Sequence, residues 1–421
     1  MSEVVSLIDV APTILRAAGL SPPAEMTGRD LLASRTTSRA SAGAESYSET
    51  EYPHVAGWAT LQALTDGRLK TIRSSSSMEL YDVVRDPAED HDLASAESAA
   101  GRAMSSRIDG IAGRGDAPPA AALSPETAER LRALGYVAGS SSPKPVGVLP
   151  NPATKIATWN AFEDALTRLN AGRADALPEL RRLAAVEPEA AVFQTTFARA
   201  LKDAGRPLDA VDVYRRAAAR WPADAMLLHD LAVAAREAAQ KGGKERRALD
   251  AEASRAERAA LALLPGSPLV HNGLGLLAVD ANDLAAAARE FERAAALDPD
   301  NATYWVNLGN ALRSGGDRAG ADRAYHRALS LDARNPDALN GAGVLLVEAH
   351  RAADAAPLFE RATEASPDFV EARLNLGIAL QESGEPARAA DMYRRVLAAP
   401  GAHAREKDAA AKLLAGLRVP R

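Results

Sequence analysis

The chain has 421 residues, a net charge of −6 and no cysteine. Its length is that of two or three domains, and the missing cysteines exclude disulfides, thiolate metal sites and cysteine nucleophiles. The acidic balance gives no electrostatic case for nucleic acid or an anionic membrane as a partner. Hydrophobic residues make up 47% of the chain but aromatic ones only 4%. With its abundant Ala, Leu and Arg, this fits a mostly helical soluble protein. No apolar run is long enough to span a bilayer. The first twenty residues carry Glu3, Asp9 and Pro12 without a basic leader, so they do not read as a signal peptide.

Residues 1–96 show no repeat. The run Val4 to Leu15 reads as a short strand or turn leading into a helix, with Asp9 and Thr13 as caps around Pro12 and Gly19 as the stop. Met26 to Leu32 follows after a Pro-Pro turn. Three β-like runs come next, Leu61 to Leu64, Arg68 to Arg73 and Glu79 to Val84, the first two joined by Asp66-Gly67. Asp-Gly between such runs is a strong hairpin signal. The expectation is a small antiparallel sheet with one or two helices against it.

Three phrases in this region, Ser6 to Leu15, Leu64 to Arg73 and Glu79-Leu80-Tyr81-Asp82 through Glu89, resemble the C-terminal subdomain of sulfatases. Leu123 to Val137, with Leu131-Arg132-Ala133-Leu134-Gly135-Tyr136, resembles the tail of bacterial sulfatases fused to tetratricopeptide repeats. The resemblance implies a catalytic part upstream. There, a Cys or Ser in a C/S-x-P-x-R motif becomes formylglycine and binds a divalent cation together with Asp and Asn or His ligands. The nearest candidate here, Ser21-Pro22-Pro23-Ala24-Glu25, has neither the spacing nor the arginine. A hydrolase needs nucleophile, metal and proton donors in one pocket. The expectation is therefore no catalytic residue, no metal ligand and no cofactor in this chain by itself, a divalent cation such as calcium belonging only to a full-length sulfatase parent. Two polar clusters bear on that expectation. Asp86, Glu89, Asp90, His91 and Asp92 offer oxygens to a hard cation, but match no loop spacing and read as a solvated turn. Glu49, Glu51 and His54 resemble a sulfatase segment near the substrate entrance, and read as an edge strand ending in a loop.

Residues 97–152, rich in Ala, Ser, Gly and Pro, read as a linker with one short helix over 124–135, opened by Ser124 with Pro125 behind it. From 153 a pattern recurs. Leu274-Gly275, Leu308-Gly309, Ala342-Gly343 and Leu376-Gly377 lie 34 residues apart. Each glycine is followed after 12 residues by Ala287, Ala321, Ala355 or Ala389, and after 16 by a ring, Phe291, Tyr325, Phe359 or Tyr393. After 19 comes Ala294, Ala328, Ala362 or Val396. A turn residue near the end of each copy, such as Pro299 or Pro367, stops the second helix. Two earlier copies fit around Ala198 and, more loosely, Asp164. One between them and the clear block fits only with nine extra residues near Lys241 to Arg247. That basic run reads as a solvated loop rather than a nucleic-acid patch.

A 34-residue period with this large/small grammar resembles the tetratricopeptide repeat family. Small residues let the two helices of a repeat approach, and the ring fills the gap to the next repeat. The expected fold is a mostly α chain, a helical solenoid of about seven repeats over 153–403. Their starts fall near Ala157, Ala191, Ala225, Pro268, Ala302, Pro336 and Val370, a capping helix follows over 404–421, and a small α+β segment precedes the array. The resemblance implies a concave face lined by the first helix of each repeat, taking an extended peptide or a partner helix. Candidate contacts are Asn272, Asn307, Asn310, Arg313, Asn340 and Asn375, among apolar Leu276, Val306, Val344, Leu374 and Ile378. An asparagine amide offers both a donor and an acceptor to a peptide backbone. The expected activity is a protein or peptide interaction scaffold, with no nucleic acid and no membrane insertion. The alternative is the C-terminal portion of a sulfatase-like sulfuric ester hydrolase of the alkaline phosphatase superfamily. The compartment expected by default is the cytoplasm, or the periplasm or exterior for a longer exported parent.

Overall fold

The computed structural model describes residues 10–18, 21, 45–50, 56–95, 98–112 and 149–417. Asp9, Gly19, Met26 to Leu32, Glu51, His54 and the helix expected over 124–135 lie outside the described residues. Contacts divide the chain into two compact units, Met1–Ala223 and Asp224–Arg421.

In the first unit, helix α1 (Val10–Ala17) already contains Thr13, which the sequence suggested as a cap. Strands β1 (Ser46–Thr50), β2 (Leu61–Thr65), β3 (Leu69–Arg73) and β4 (Met78–Asp82) form an antiparallel sheet in the order β1-β2-β3-β4. The β2–β3 turn is held by the Asp66 carboxylate, whose Oδ1 accepts from the backbone of Arg68 (3.0 Å) and Leu69 (2.8 Å). Gly67 supplies the positive φ of +92° that the turn requires. Residues 98–112, read from their small side chains as linker, instead form helix α2 (Ser98–Ala112). It packs Met104 and Ile108 against Leu64 and Leu80 of the sheet, all four buried. Few large apolar residues are needed, because the helix covers only one face of a narrow sheet.

The last linker residues are likewise pinned. Asn151 Nδ2 donates to Ser77 Oγ (2.8 Å), and the backbone N–H of Ala59 to the Pro150 carbonyl (3.0 Å). Trp58, on the segment before β2, meets the first helix pairs, α3 (Ile156–Asn170) with α4 (Ala176–Val186) and α5 (Ala191–Asp203) with α6 (Pro207–Arg220). Its ring stands edge-on to Trp159 (5.8 Å, 77°) and Phe193 (6.2 Å, 78°), and its Nε1–H points at Glu187 Oε2 (3.4 Å), whose other oxygen holds Lys155 (2.5 Å).

The second unit is a stack of helix pairs: α7 (Ala225–Gln240) with α8 (Arg246–Leu263), α9 (Pro268–Asp280) with α10 (Leu284–Leu297), α11 (Ala302–Ser314) with α12 (Arg318–Leu331), α13 (Pro336–Glu348) with α14 (Ala352–Ala365), and α15 (Val370–Glu382) with α16 (Pro386–Ala398). Helix α17 (Ala404–Gly416) closes it. The repeat grammar explains the stack. Side chains of Asp224, Ser267, Asn301 and Asn335 cap first helices, and those of Asp283 and Asp317 cap second helices. A Cβ on Gly275, Gly309, Gly343 or Gly377 would come within 2.5–2.6 Å of the ring of Phe291, Tyr325, Phe359 or Tyr393. These glycines admit rings that are at most 1% exposed. The extra residues of the third repeat are shared between both helices and the turn: α7 has 16 residues and α8 has 18, where most others have 13 or 14.

Candidate functional site

The first helices of the second unit are tied to one another by side-chain bridges at two levels. Near their N-terminal ends, Asn307 Nδ2 on α11 donates to Asn272 Oδ1 on α9 (2.7 Å), and Asn375 Nδ2 on α15 donates to Asn340 Oδ1 on α13 (2.9 Å). Asn340 also donates to Glu371 (3.3 Å). Near the C-terminal ends, Arg236 of α7 pairs with Asp280 of α9, and Arg313 of α11 with Glu348 of α13 (3.0 Å). The two Asn–Asn bridges and Arg313–Glu348 each link positions 35 residues apart, and Arg236–Asp280 does so once the nine extra residues of the third repeat are set aside, because neighbouring helices present corresponding turns to each other.

All six sequence candidates therefore lie on one set of helices, but not as one row of free amides. Asn272 with Asn307, and Asn340 with Asn375, form two separate pairs. In each pair the inner carbonyl and one N–H of the donating amide are used, and in the second pair Asn340 also spends an N–H on Glu371, leaving the donating amide's second N–H and the outer carbonyl for other partners. Asn310 and Arg313 belong to a third cluster between the pairs. The Tyr325 hydroxyl donates to Asn310 Oδ1 (2.6 Å) and lies beside Arg313. Burial pushes this phenol above its ordinary value; Arg313 opposes the rise, and Glu348 and Glu371 add to it. Asn340 is buried, Asn310 is exposed, and the other four are half-buried. Val344, Val347, Leu374 and Ile378, also half-buried, form an apolar strip beside the second pair.

One group escaped sequence reasoning. The position that holds a ring in the four clear repeats is Glu257 in the third, once its nine extra residues are counted. Glu257 is 0% exposed and Oε1 lies 2.8 Å from His229 Nδ1, while Oε2 has no partner. Gly273 makes the room, since a Cβ there would fall 2.0 Å from the carboxylate. Burial pushes the carboxyl up from its ordinary value, with His229 opposing and Asp230 reinforcing. Folded chains thus favour the protonated acid. The associated stability is complete below the ordinary glutamate range and is lost as pH rises through the raised value. Glu257→Gln is expected to melt with the native chain near pH 4 and above it at pH 8, in thermal unfolding across pH. The double change His229→Val, Glu257→Phe, which copies Val306 and the rings of other repeats, should raise stability at pH 7 by about 1–4 kcal/mol in urea unfolding.

The carboxylates at 86–92 serve the loop that follows β4. Asp92 Oδ1 accepts from the backbone of Leu80 (2.9 Å) and Ala94 (2.8 Å), Asp86 Oδ2 from that of His91 (2.8 Å), and Glu89 holds Lys70 (2.7 Å). Glu49 lies on edge strand β1, where it takes hydrogen bonds from Tyr47 and Gln62. Among the described residues no three His, Cys, Asp or Glu side chains converge as a metal-binding group, and no helix is long and apolar enough to cross a membrane.

Comparison with known proteins agrees with both parts of the fold. A family model described as "N-sulphoglucosamine sulphohydrolase, C-terminal" matches residues 1–108, and a tetratricopeptide repeat model matches 272–336, 308–368 and 342–404. Among solved structures, a tetratricopeptide repeat protein from Parabacteroides merdae is similar at 15% identity and a TM-score of 0.51, over 62% of this chain and 99% of that one. A Pseudomonas aeruginosa pilF structure aligns at 17% identity and TM-score 0.43, covering 53% of this chain and 98% of its own. A chain of the APC/C hetero-tetramer Cut9-Hcn1 aligns at 19% and 0.46, covering 54% and 44%. No curated protein sequence matches. The two family models and the likeness to the Parabacteroides merdae protein establish the fold: the chain carries tetratricopeptide repeats behind a sulphohydrolase-like C-terminal segment.

Proposed function

We propose that the chain is a protein-interaction scaffold, receiving an extended peptide or a partner helix along the first helices of its second unit, with no catalysis of its own. The observation that carries this reading is the pairing of Asn272 with Asn307 and Asn340 with Asn375. Each pair is fixed in place by its internal bond, yet keeps a carbonyl acceptor and N–H donors unspent within the pair. A peptide backbone needs that combination, and fixed amides lose little side-chain entropy on binding it. The apolar strip from Val344 to Ile378 supplies contacts for side chains.

Asn307→Ala combined with Asn375→Ala is expected to leave the melting transition within about 1 kcal/mol of native, since two half-exposed hydrogen bonds are exchanged for better helix formers. Affinity for dodecapeptides selected from a random display library should fall at least tenfold, read by fluorescence anisotropy. Unchanged affinity would sink the assignment.

The match of residues 1–108 favours a second reading, in which this is the C-terminal portion of a sulfatase-type hydrolase and the repeats serve that enzyme. Helix α1 fits that reading, for Val10 and Ile14 are 43% and 61% exposed. In that case a divalent cation such as calcium belongs to the upstream part, and the compartment is that of the exported parent rather than the cytoplasm. The intact mass of the native product decides between them. A mass near 44.1 kDa supports the free-standing scaffold, and a much larger one bearing a C/S-x-P-x-R segment supports the hydrolase.

A further inference from the structure

We infer that the peptide received by the first helices is basic, and that one of its lysine or arginine side chains docks at Glu382. The inference deepens the interaction reading and rests on it.

The fold supplies the template. Twice an arginine at the twelfth position of a first helix, Arg236 on α7 and Arg313 on α11, reaches the acid at the thirteenth position of the next one, Asp280 on α9 and Glu348 on α13. Glu382 holds that thirteenth position on α15, but the twelfth position of α13 is Val347. The acid recurs and its arginine does not. Among the described residues Glu382 makes no ion pair, and it is exposed. Its field reaches the Tyr393 hydroxyl, which burial and then this carboxylate push up to about 12.

The surroundings suit a long cationic side chain. Val347 and Ile378 are half-buried and apolar, and would lie under the methylene stem while the charged end reaches the carboxylate. Glu371, exposed at the start of the same helix and bonded only to the Asn340 amide, offers a second anchor roughly 16 Å away along the helix, about five residues further along an extended chain. An acidic peptide would fare badly here. The two arginines of this face are already held by Asp280 and Glu348, so binding an acid would mean breaking an existing bridge.

The experiment is selection of a random dodecapeptide display library on the full chain, followed by affinity measurements on the enriched peptides. Enrichment of lysine and arginine is expected. Affinity should fall about tenfold with Glu371→Gln and Glu382→Gln together, a pair of exposed, isosteric changes whose melting temperature confirms an intact fold, and should weaken as salt is raised. Basic peptides that bind the double variant equally well would overturn the docking at Glu382. Acidic or neutral peptides lost on Asn307→Ala with Asn375→Ala would overturn the basic partner and leave the interaction reading standing. No peptide dependent on these helices would overturn both.

Discussion

Replacing Tyr325 by alanine is expected to cost the second unit about 3–5 kcal/mol, the range for emptying a ring-sized core position. The ring is 0% exposed. It is clamped from both sides, because a Cβ on Gly309 would come within 2.6 Å of it and one on Gly341 within 2.4 Å. These glycines belong to successive repeats, so the ring belongs to the interface as much as to its own helix pair. Stability of stacked repeats is a sum of repeat and interface terms, and both are damaged together. Tyr325→Phe is the control. It keeps the ring and loses only the hydroxyl's interactions with Asn310 and Arg313, at about 1 kcal/mol. Urea unfolding followed by circular dichroism measures both, and equal costs for the two variants would show that the hydroxyl, not the ring, holds the interface.

The second large effect is expected at Trp58. Trp58→Ala should cost about 3–5 kcal/mol, because this ring is 4% exposed and joins the sheet-bearing segment to Trp159 and Phe193. The loss should be local. Amide exchange in β2, β3 and α3 should quicken by orders of magnitude, while α13 to α15 keep their native protection, as independent cooperative segments do. Uniform acceleration along the chain would contradict this.

The same two rings show what sequence does and does not reveal. Tyr325 was legible because its partners, Gly309 sixteen residues before it on the first helix and Ala321 one turn before it, recur at fixed spacing in every clear repeat. Periodicity announces any contact that the chain makes several times. Trp58 makes its contacts once, with Trp159, Glu187 and Phe193 far along the chain, and nothing local distinguishes it from a loop tryptophan. Helix α2 was missed for a related reason: a helix that sets two fully buried large side chains, Met104 and Ile108, on a narrow sheet needs no strong apolar stripe. Glu257 is the opposite case. It stands in a slot that the repeat grammar assigns to a ring, and counting the nine extra residues into the third repeat would have exposed a carboxylate in an aromatic position. The asparagines lie on first helices, but their mutual pairing was invisible, since it depends on how neighbouring helices are set against each other.

That pairing has a counterpart in the rings. Phe291 is followed in the next repeat by Asn307, Tyr325 by Gly341, and Phe359 by Asn375. Asn272 and Asn340 likewise stand 68 residues apart, each facing an asparagine on the following first helix. The unit of construction is thus a doublet of repeats rather than a single one. Excising one repeat would bring Phe291 against Gly341 and strand Asn272 opposite a residue with no side chain. Excising two would restore every pairing, with Phe291 and Asn272 both meeting Asn375. An array built this way can grow or shrink smoothly only in steps of two, so its length is quantised more coarsely than its 34-residue period suggests.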